Sequence, residues 1–250
     1  MGKNAAEGNR KKGKIAEEIR KRIGRSVLIA YIVVEVIIVI IMGQTVYYNK
    51  QAQLTLESES ASNSLAGFFE KYESVTQTLA LNPQIQSVLA ETKAGDDILS
   101  AKAMGDVEKY LVDAAGADKE NVMAVWIADL DASVITQSDG YTSSDGWDIT
   151  GRAWYPCIET GKTVLTEPYT DSSTGQFILS AATPVYDEDG NVLGAAGMDI
   201  SLDHVTEVLS TYTIGSSGYV WLVSSNGMLI YHPNAEMVQK NILPMWAMRS

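Results

Sequence analysis

The run VLIAYIVVEVIIVIIMG, residues 27–43, is almost uninterruptedly apolar, and QTVYY extends it to residue 48. At ~1.5 Å per residue, about 20 helical residues cross a ~30 Å hydrocarbon layer, so this stretch specifies a membrane-spanning helix before any other part of the fold is considered. Its flanks give the direction. Arg20, Lys21, Arg22 and Arg25 suit the cytoplasmic side under the positive-inside rule, and Tyr47 and Tyr48 suit the far interface. A cleaved signal peptide is the competing reading. Its apolar core would be shorter, ~7–15 residues, and would be followed by a small-x-small cleavage site, which does not occur before residue 50. The sequence therefore predicts a retained anchor with the remaining chain outside the cytoplasm. Glu35 sits in mid-span, where an ionisable group is costly and marks a function by default. The plainer reading is a protonated Glu at a helix–helix contact in a dimer, or one tolerated by so apolar a helix.

Charge divides the chain at the same place. The net charge is −12, but residues 1–25 hold nine Lys/Arg and three Glu, a net of +6, which leaves −18 for the other 225 residues. An acidic body repels phosphates and argues against a nucleic-acid partner. With 46% hydrophobic residues the body has enough apolar material for one large or two small domains. Its core must suffice without an internal disulfide, since Cys157 is the only cysteine. No His lies near Cys157 in sequence, so a small packed residue is the expected role.

Beyond the membrane, residues 49–92 read as helix. Leu54, Leu65, Phe68, Phe69, Tyr72, Val75, Leu79 and Leu81 recur at helical spacing, with a break at Asn82-Pro83. Residues 97–117 read as a second helix stopped by Gly116. Residues 121–139 then read as strand, turn and strand, residues 163–200 as further strands with turns at DSSTG and DEDGN, and residues 201–212 as a helix. A last strand–turn–strand follows in GYVWLVSSNGMLIYHP. VWIADLDASVI (125–135) and VWLVSSNGMLI (220–230), 95 residues apart, echo each other in length and ends. With the order helix–hairpin–sheet–helix–hairpin, the echo predicts two related α/β modules in series, the second barely begun at residue 250. The chain is thus expected to be the N-terminal part of a longer protein or a truncated gene product.

The stretch GRAWYP, residues 151–156, is the candidate site. A guanidinium beside aromatic rings suits a planar anion, because it offers a bidentate fork and stacks. In a regular strand Trp154 would share a face with Arg152, and Tyr155 would face the other way. The plain alternative is an Arg lying over core aromatics and paired with a surface Asp. Acidic groups follow: Tyr169 and Asp171 in EPYTDSSTGQ, and Asp199 at the end of the apolar strand VLGAAGMD, where an unpaired carboxylate is expensive. Asp199 could instead cap helix 201–212, in competition with Ser201 and Asp203. A fork for a carboxylate plus carboxylates for an ammonium describes a receptor for a zwitterion.

Together the anchor, the exit helix and the pattern GRAWY…Y.D..TGQ…S…PV.DEDGNVLG..G.DISL resemble the extracytoplasmic double Cache (dCache) domain of methyl-accepting chemotaxis receptors, also found in sensor kinases and diguanylate cyclases. TIGSSGYVWLVSSNGMLIYHPN (213–234) is similar to the start of that family's membrane-proximal module. The resemblance covers about residues 26–250. It implies an α/β (α+β) fold: an N-terminal transmembrane helix (26–48) after a basic cytoplasmic head (1–25), and a long exit helix (49–81). A membrane-distal PAS-like module (82–212) and the start of a second (213–250) complete it, each module an antiparallel sheet flanked by helices. In the amino-acid-binding subset the same residues imply that Arg152 and Trp154 hold the ligand carboxylate, while Tyr169, Asp171 and Asp199 hold the α-ammonium. Tyr155 would serve the ammonium side. The subset usually has Tyr five residues before the Arg; here it is Trp147, which keeps an aromatic wall and a donor but loses an acceptor.

The expected function is a transmembrane chemoreceptor-type sensor of a small amino acid, acting as a homodimer in the cell membrane. The alternatives are the same fold sensing a biogenic amine or other small cation, or the sensor part of a histidine kinase or diguanylate cyclase. No Ser-His-Asp order, HExxH, CxxC or P-loop is present, and His204 and His232 are far apart, so no enzyme, cofactor or metal is expected in this chain. Side-chain selection is expected from scattered positions, around Trp126 and Tyr141.

Overall fold

The computed structural model describes residues 2–144, 146–171, 174–214 and 218–243, with the side chains of 2–14, 16, 213 and 214 left aside. The chain forms two units, residues 1–57 and 58–250. All described structure of the first belongs to helix α1 (Gly2–Ala80). Its apolar residues from Val27 to Tyr48 are exposed, and the helix has a window of mean hydropathy 2.8, long and apolar enough to cross a membrane. The boundaries expected at 25/26 and 48/49 coincide with no break in α1.

In the second unit α1 ends where Asn82-Pro83 predicts. Asn82 Oδ1 accepts the backbone N–H groups of Gln84 at 2.8 Å and Ile85 at 3.4 Å, and Pro83 opens α2 (Pro83–Glu91). These bonds satisfy donors that a helix start leaves orphaned. The helix expected over 97–117 begins later, as α3 (Met104–Gly116). Asp97 Oδ1 accepts the Leu99 N–H and Ser100 Oγ donates to Asp97 O, which closes a short 3₁₀ turn at residues 98–100 instead.

The main sheet is antiparallel. It comprises β1 (Val122–Asp129), β2 (Val134–Gln137), β3 (Val164–Leu165), β4 (Tyr169–Thr170), β5 (Phe177–Tyr186) and β6 (Val192–Ser201), in the order β2-β1-β6-β5-β3 with β4 also on β5. Period-2 alternation sorts its faces. Val125, Ile127, Leu179, Ala181, Met198 and Ile200 join the helical core of α1, α2, α3 and α5 (Asp203–Ser210). Thr76 and Thr183 share a buried hydrogen bond of 2.8 Å across that face, and Tyr72 donates to Asp118 at 2.8 Å. The opposite face presents Trp126, Ala128, Ala182 and Ala195 to Ile135, Ile149, Trp154 and Cys157. Cys157 is buried, and burial pushes its thiol up to about 12, as suits a packed residue.

The β1–β2 turn is held by Asp129, whose Oδ1 accepts the Ala132 N–H at 2.6 Å while the buried Oδ2 has no partner among the described residues. The echo at 220–230 is realised as a second antiparallel hairpin, β9 (Leu222–Val223) with β10 (Leu229–Tyr231), preceded by the pair β7 (Thr213–Ile214) and β8 (Gly218–Tyr219). Of the segments predicted to carry the second module, residues 215–217 and 244–250 lie outside the described residues, as do residues 172 and 173 of the DSSTG turn.

Candidate functional site

Strand register builds the floor of the site. Gln137, Trp126, Gly197 and Ala182 are successive cross-strand partners, and Ala124, Asp199 and Ser180 form the next row on the same face. Gly197 is required by its neighbour: a Cβ there would stand 2.3 Å from Trp126 Cζ2. The indole therefore lies across the glycine, and its Nε1–H donates to Asp199 Oδ1 at 3.0 Å. Ser180 Oγ donates to the same oxygen at 2.7 Å. Its only proton is thus committed, so in the 2.7 Å contact between Tyr169 and Ser180 the phenol is the donor. The chain Tyr169 to Ser180 to Asp199 leaves Asp199 Oδ2 without a hydrogen bond among the described residues. Gly197→Ala is expected to push the ring off Asp199, lowering the thermal midpoint by an amount equivalent to about 1–3 kcal/mol and changing tryptophan fluorescence. Unchanged emission and stability would refute this account of the glycine.

Asp199 is not the cap of α5; its carboxylate is buried among Trp126 and Ser180. Burial pushes it up to about 6, against the bonds from Ser180 and Trp126, with the negative charges of Asp171 and Asp139 adding to the rise. An arriving cation would reverse that cost. Burial likewise raises Tyr169, helped by Asp199 and Asp171, so the phenol keeps its proton. Asp171 closes the β4–β5 turn, its Oδ2 accepting Thr174 N–H at 2.8 Å and Thr174 Oγ at 2.7 Å.

The roof is a run of turns, not the regular strand in which Arg152 and Trp154 would share a face. Asp148 caps a 3₁₀ turn at Ile149–Gly151, Tyr155 N–H bonds Arg152 O at 3.0 Å, and Pro156 opens α4 (Pro156–Thr160). Consecutive turns, unlike a pleat, do not alternate side chains between two faces. Tyr155, the N-cap of α4, packs against the buried cluster that holds Trp154 and Cys157 and is not among the residues that line the cavity. Ser133 ties the roof to the β1–β2 turn: its Oγ donates to Trp147 O at 3.0 Å and accepts Ile149 N–H at 3.1 Å. Arg152 lies over the Trp147 ring, 4.8 Å from guanidinium carbon to centroid, and its Nε–H donates to Asp148 O at 2.9 Å. That orients the fork, and its terminal nitrogens carry no hydrogen bond among the described residues. Trp154 is buried, its ring centroid 4.5 Å from that of Trp126 and 6.4 Å from that of Trp147.

Floor and roof line an open cavity of about 240 Å³ that brings together Arg152, Trp154, Trp147, Tyr169, Asp171 and Asp199, with Trp126 and Tyr141. Sequence reasoning missed Ser180, Ile135 and Gln137. Ser180 and Gln137 had a readable signal, being polar on strands whose same-face neighbours are apolar. Among the described residues no cluster of His, Cys, Asp and Glu has metal-binding geometry.

A small cavity with a cation over one wall and buried acid on the other, set on a helix-backed antiparallel sheet, defines a ligand-sensing domain of the PAS-like kind. The Cache domain model dCache_1 matches residues 42–246, and the chain belongs to that family. It is similar to the methyl-accepting chemotaxis protein PscA of Pseudomonas syringae pv. tomato, 37% identical over 97 residues, covering 38% of this chain and 15% of that protein. It is also similar to the methyl-accepting chemotaxis protein TlpB of Bacillus subtilis, 26% identical over 226 residues, covering 88% of this chain and 32% of that protein. The chain thus spans no more than about a third of the length of these relatives. Among solved structures it is similar to the ligand-binding domain of the Pseudomonas fluorescens chemoreceptor CtaA in complex with L-alanine. There the identity is 28% and the TM-score 0.52, over 78% of this chain and 77% of that one.

Proposed function

We propose that the chain is the sensory part of a membrane chemoreceptor whose cavity binds a small α-amino acid by its two charged groups. The observation that carries this is the opposition, within about 240 Å³, of the Trp147-stacked Arg152 to the buried Asp199 with Tyr169 and Asp171. Arg152 takes the carboxylate, with the indole N–H of Trp154 as a second donor. Asp199 Oδ2, the Tyr169 phenol oxygen and Asp171 take the ammonium. The basic head stays in the cytoplasm, the α1 span crosses the membrane and the Cache body faces outward. The receptor works as a homodimer, and ligand binding biases α1 between two states through differential affinity. The resemblance to chemoreceptors supports a sensing role without catalysis.

Calorimetric titration of the full chain in lipid nanodiscs against the twenty amino acids tests the reading. At least one should bind with micromolar or tighter affinity, and no heat from folded protein with any of them would defeat it. A second reading has a specific observation behind it: two acids line the cavity against one Arg, and Trp147 offers no acceptor. The ligand is then an amine. Titrating an amino acid beside its decarboxylated amine separates the cases, because only the zwitterion reading requires loss of binding with the carboxylate.

A further inference from the structure

An α-amino acid has three substituents to place, and the two charged poles account for only two of them. The rest of the lining is mostly apolar: Ile135 and the ring faces of Trp126, Trp147 and Trp154 form walls that offer a side chain mainly contact area. Three lining residues differ: the exposed Thr170 at the end of β4, and Gln137 and Tyr141 near the β2 end. Gln137 ends β2, and Tyr141 follows it across a turn closed by the Gln137 N–H to Tyr141 O bond at 2.9 Å and the Gly140 N–H to Gln137 O bond at 3.1 Å. Asp139 Oδ1 accepts the Tyr141 N–H at 2.9 Å and braces the same turn. The backbone is therefore fully engaged, while neither the Gln137 amide nor the Tyr141 hydroxyl has a hydrogen-bond partner among the described residues.

Gln137 is also fixed in place. It is the cross-strand partner of Trp126, on the same sheet face, one row from Asp199. It thus stands on the sheet floor two strands from Asp199, with Trp126 between them, whereas Arg152 belongs to the roof loop. A free amide in that position has both a donor and an acceptor aimed at the third substituent.

We infer that Gln137, seconded by Tyr141, selects the ligand's side chain, and that the preferred ligand is an amino acid with a short, uncharged, hydrogen-bonding side chain such as an amide or hydroxyl. The inference rests on the amino-acid reading above. Three observations carry it. The cavity, about 240 Å³, lies below the ~300–1,000 Å³ of sites for drug-sized ligands and suits a ligand the size of a single amino acid. The amide gains a replacement for its water only from a polar side chain; an apolar isostere strips the water and returns nothing. An acidic side chain would enter a site already holding Asp171 and Asp199, with Asp139 close enough to raise Asp199.

The test is a calorimetric comparison of glycine, L-asparagine and L-leucine on the full chain in nanodiscs, for the wild type and for Gln137→Met. Methionine keeps the length and flexibility of the side chain and removes its hydrogen bonding. The wild type should prefer asparagine to leucine at least tenfold. Gln137→Met should cut that preference at least tenfold while leaving glycine affinity within about twofold. Tyr141→Phe, which deletes one hydroxyl at the rim, should reduce the preference less and serves if Gln137→Met does not fold. Equal wild-type affinity for asparagine and leucine, or a Gln137→Met loss shared by glycine and asparagine, overturns the assignment alone. Absence of binding by all three together with the other amino acids overturns the zwitterion reading beneath it.

Discussion

Asp199→Asn is expected to weaken binding of a small amino acid by about 2–5 kcal/mol, roughly 30-fold to several-thousand-fold, because it leaves the ligand's ammonium without its buried counter-charge. Arg152→Ala should cost a similar amount at the carboxylate end, nearer the lower bound, since Arg152 is only half-buried. The two differ in what they do to the empty protein. Asp199→Asn removes a carboxylate whose burial is unfavourable, so its thermal midpoint should hold or rise while affinity collapses. Arg152→Ala removes a stack on Trp147 and one bond to Asp148, a small structural loss. Arg152→Lys keeps the charge but loses the fork and should recover only part of the affinity. Calorimetry and differential scanning on the same samples check both. If Asp199→Asn lowered stability and affinity together, Asp199 would be a structural residue.

Lowering the pH from 7 to 5 should weaken ligand binding about tenfold while making the empty domain more stable, a pairing of opposite signs. Asp199 and Asp129 are both pushed up to about 6, burial being the chief cause in each. For an acid raised in the folded state, that state takes up the proton before the unfolded chain does. Stability is therefore reduced above pH 6 and recovers as pH falls through 6 toward 4. Each group contributes about 1 kcal/mol between pH 7 and 5. Asp118 is partly desolvated, but bonds from Lys71, Asn121 and Tyr72 prevail and hold it down to about 2, so its contribution is lost only below the ordinary carboxylate range. Binding runs the other way because the ammonium requires ionised Asp199, and affinity should fall toward tenfold per unit once pH drops below 6. Denaturant midpoints and titrations at pH 5, 6 and 7 measure both effects. A pH-independent affinity would contradict the assignment of Asp199 to the ammonium.

Much of the architecture was readable in the chain because it depends on local order. The apolar run at 27–48, the Asn82-Pro83 break, the Gly116 stop and the alternating strands all follow from residue types at fixed spacing. The start of α3 was misread because Asp97 and Ser100 compete for the backbone, and helical periodicity does not register that competition. A regular strand at 151–155 would have put Arg152 and Trp154 on one face and Tyr155 on the other; Asp148 and Pro156 bracket the stretch with turn chemistry instead, and Tyr155 is not among the residues that line the cavity.

By itself the sequence carried a helix long and apolar enough to cross a membrane, an acidic α/β body of the Cache type, and the charged residues Arg152, Asp171 and Asp199. These are properties of composition and short-range pattern. Tertiary structure alone decided which oxygen of Asp199 takes the bonds from Trp126 and Ser180 and which has none among the described residues. That depends on Trp126, Ser180 and Gly197, which come from three strands and meet only through register. A one-residue slip would send Trp126 to the opposite face and dissolve the site while leaving every motif intact.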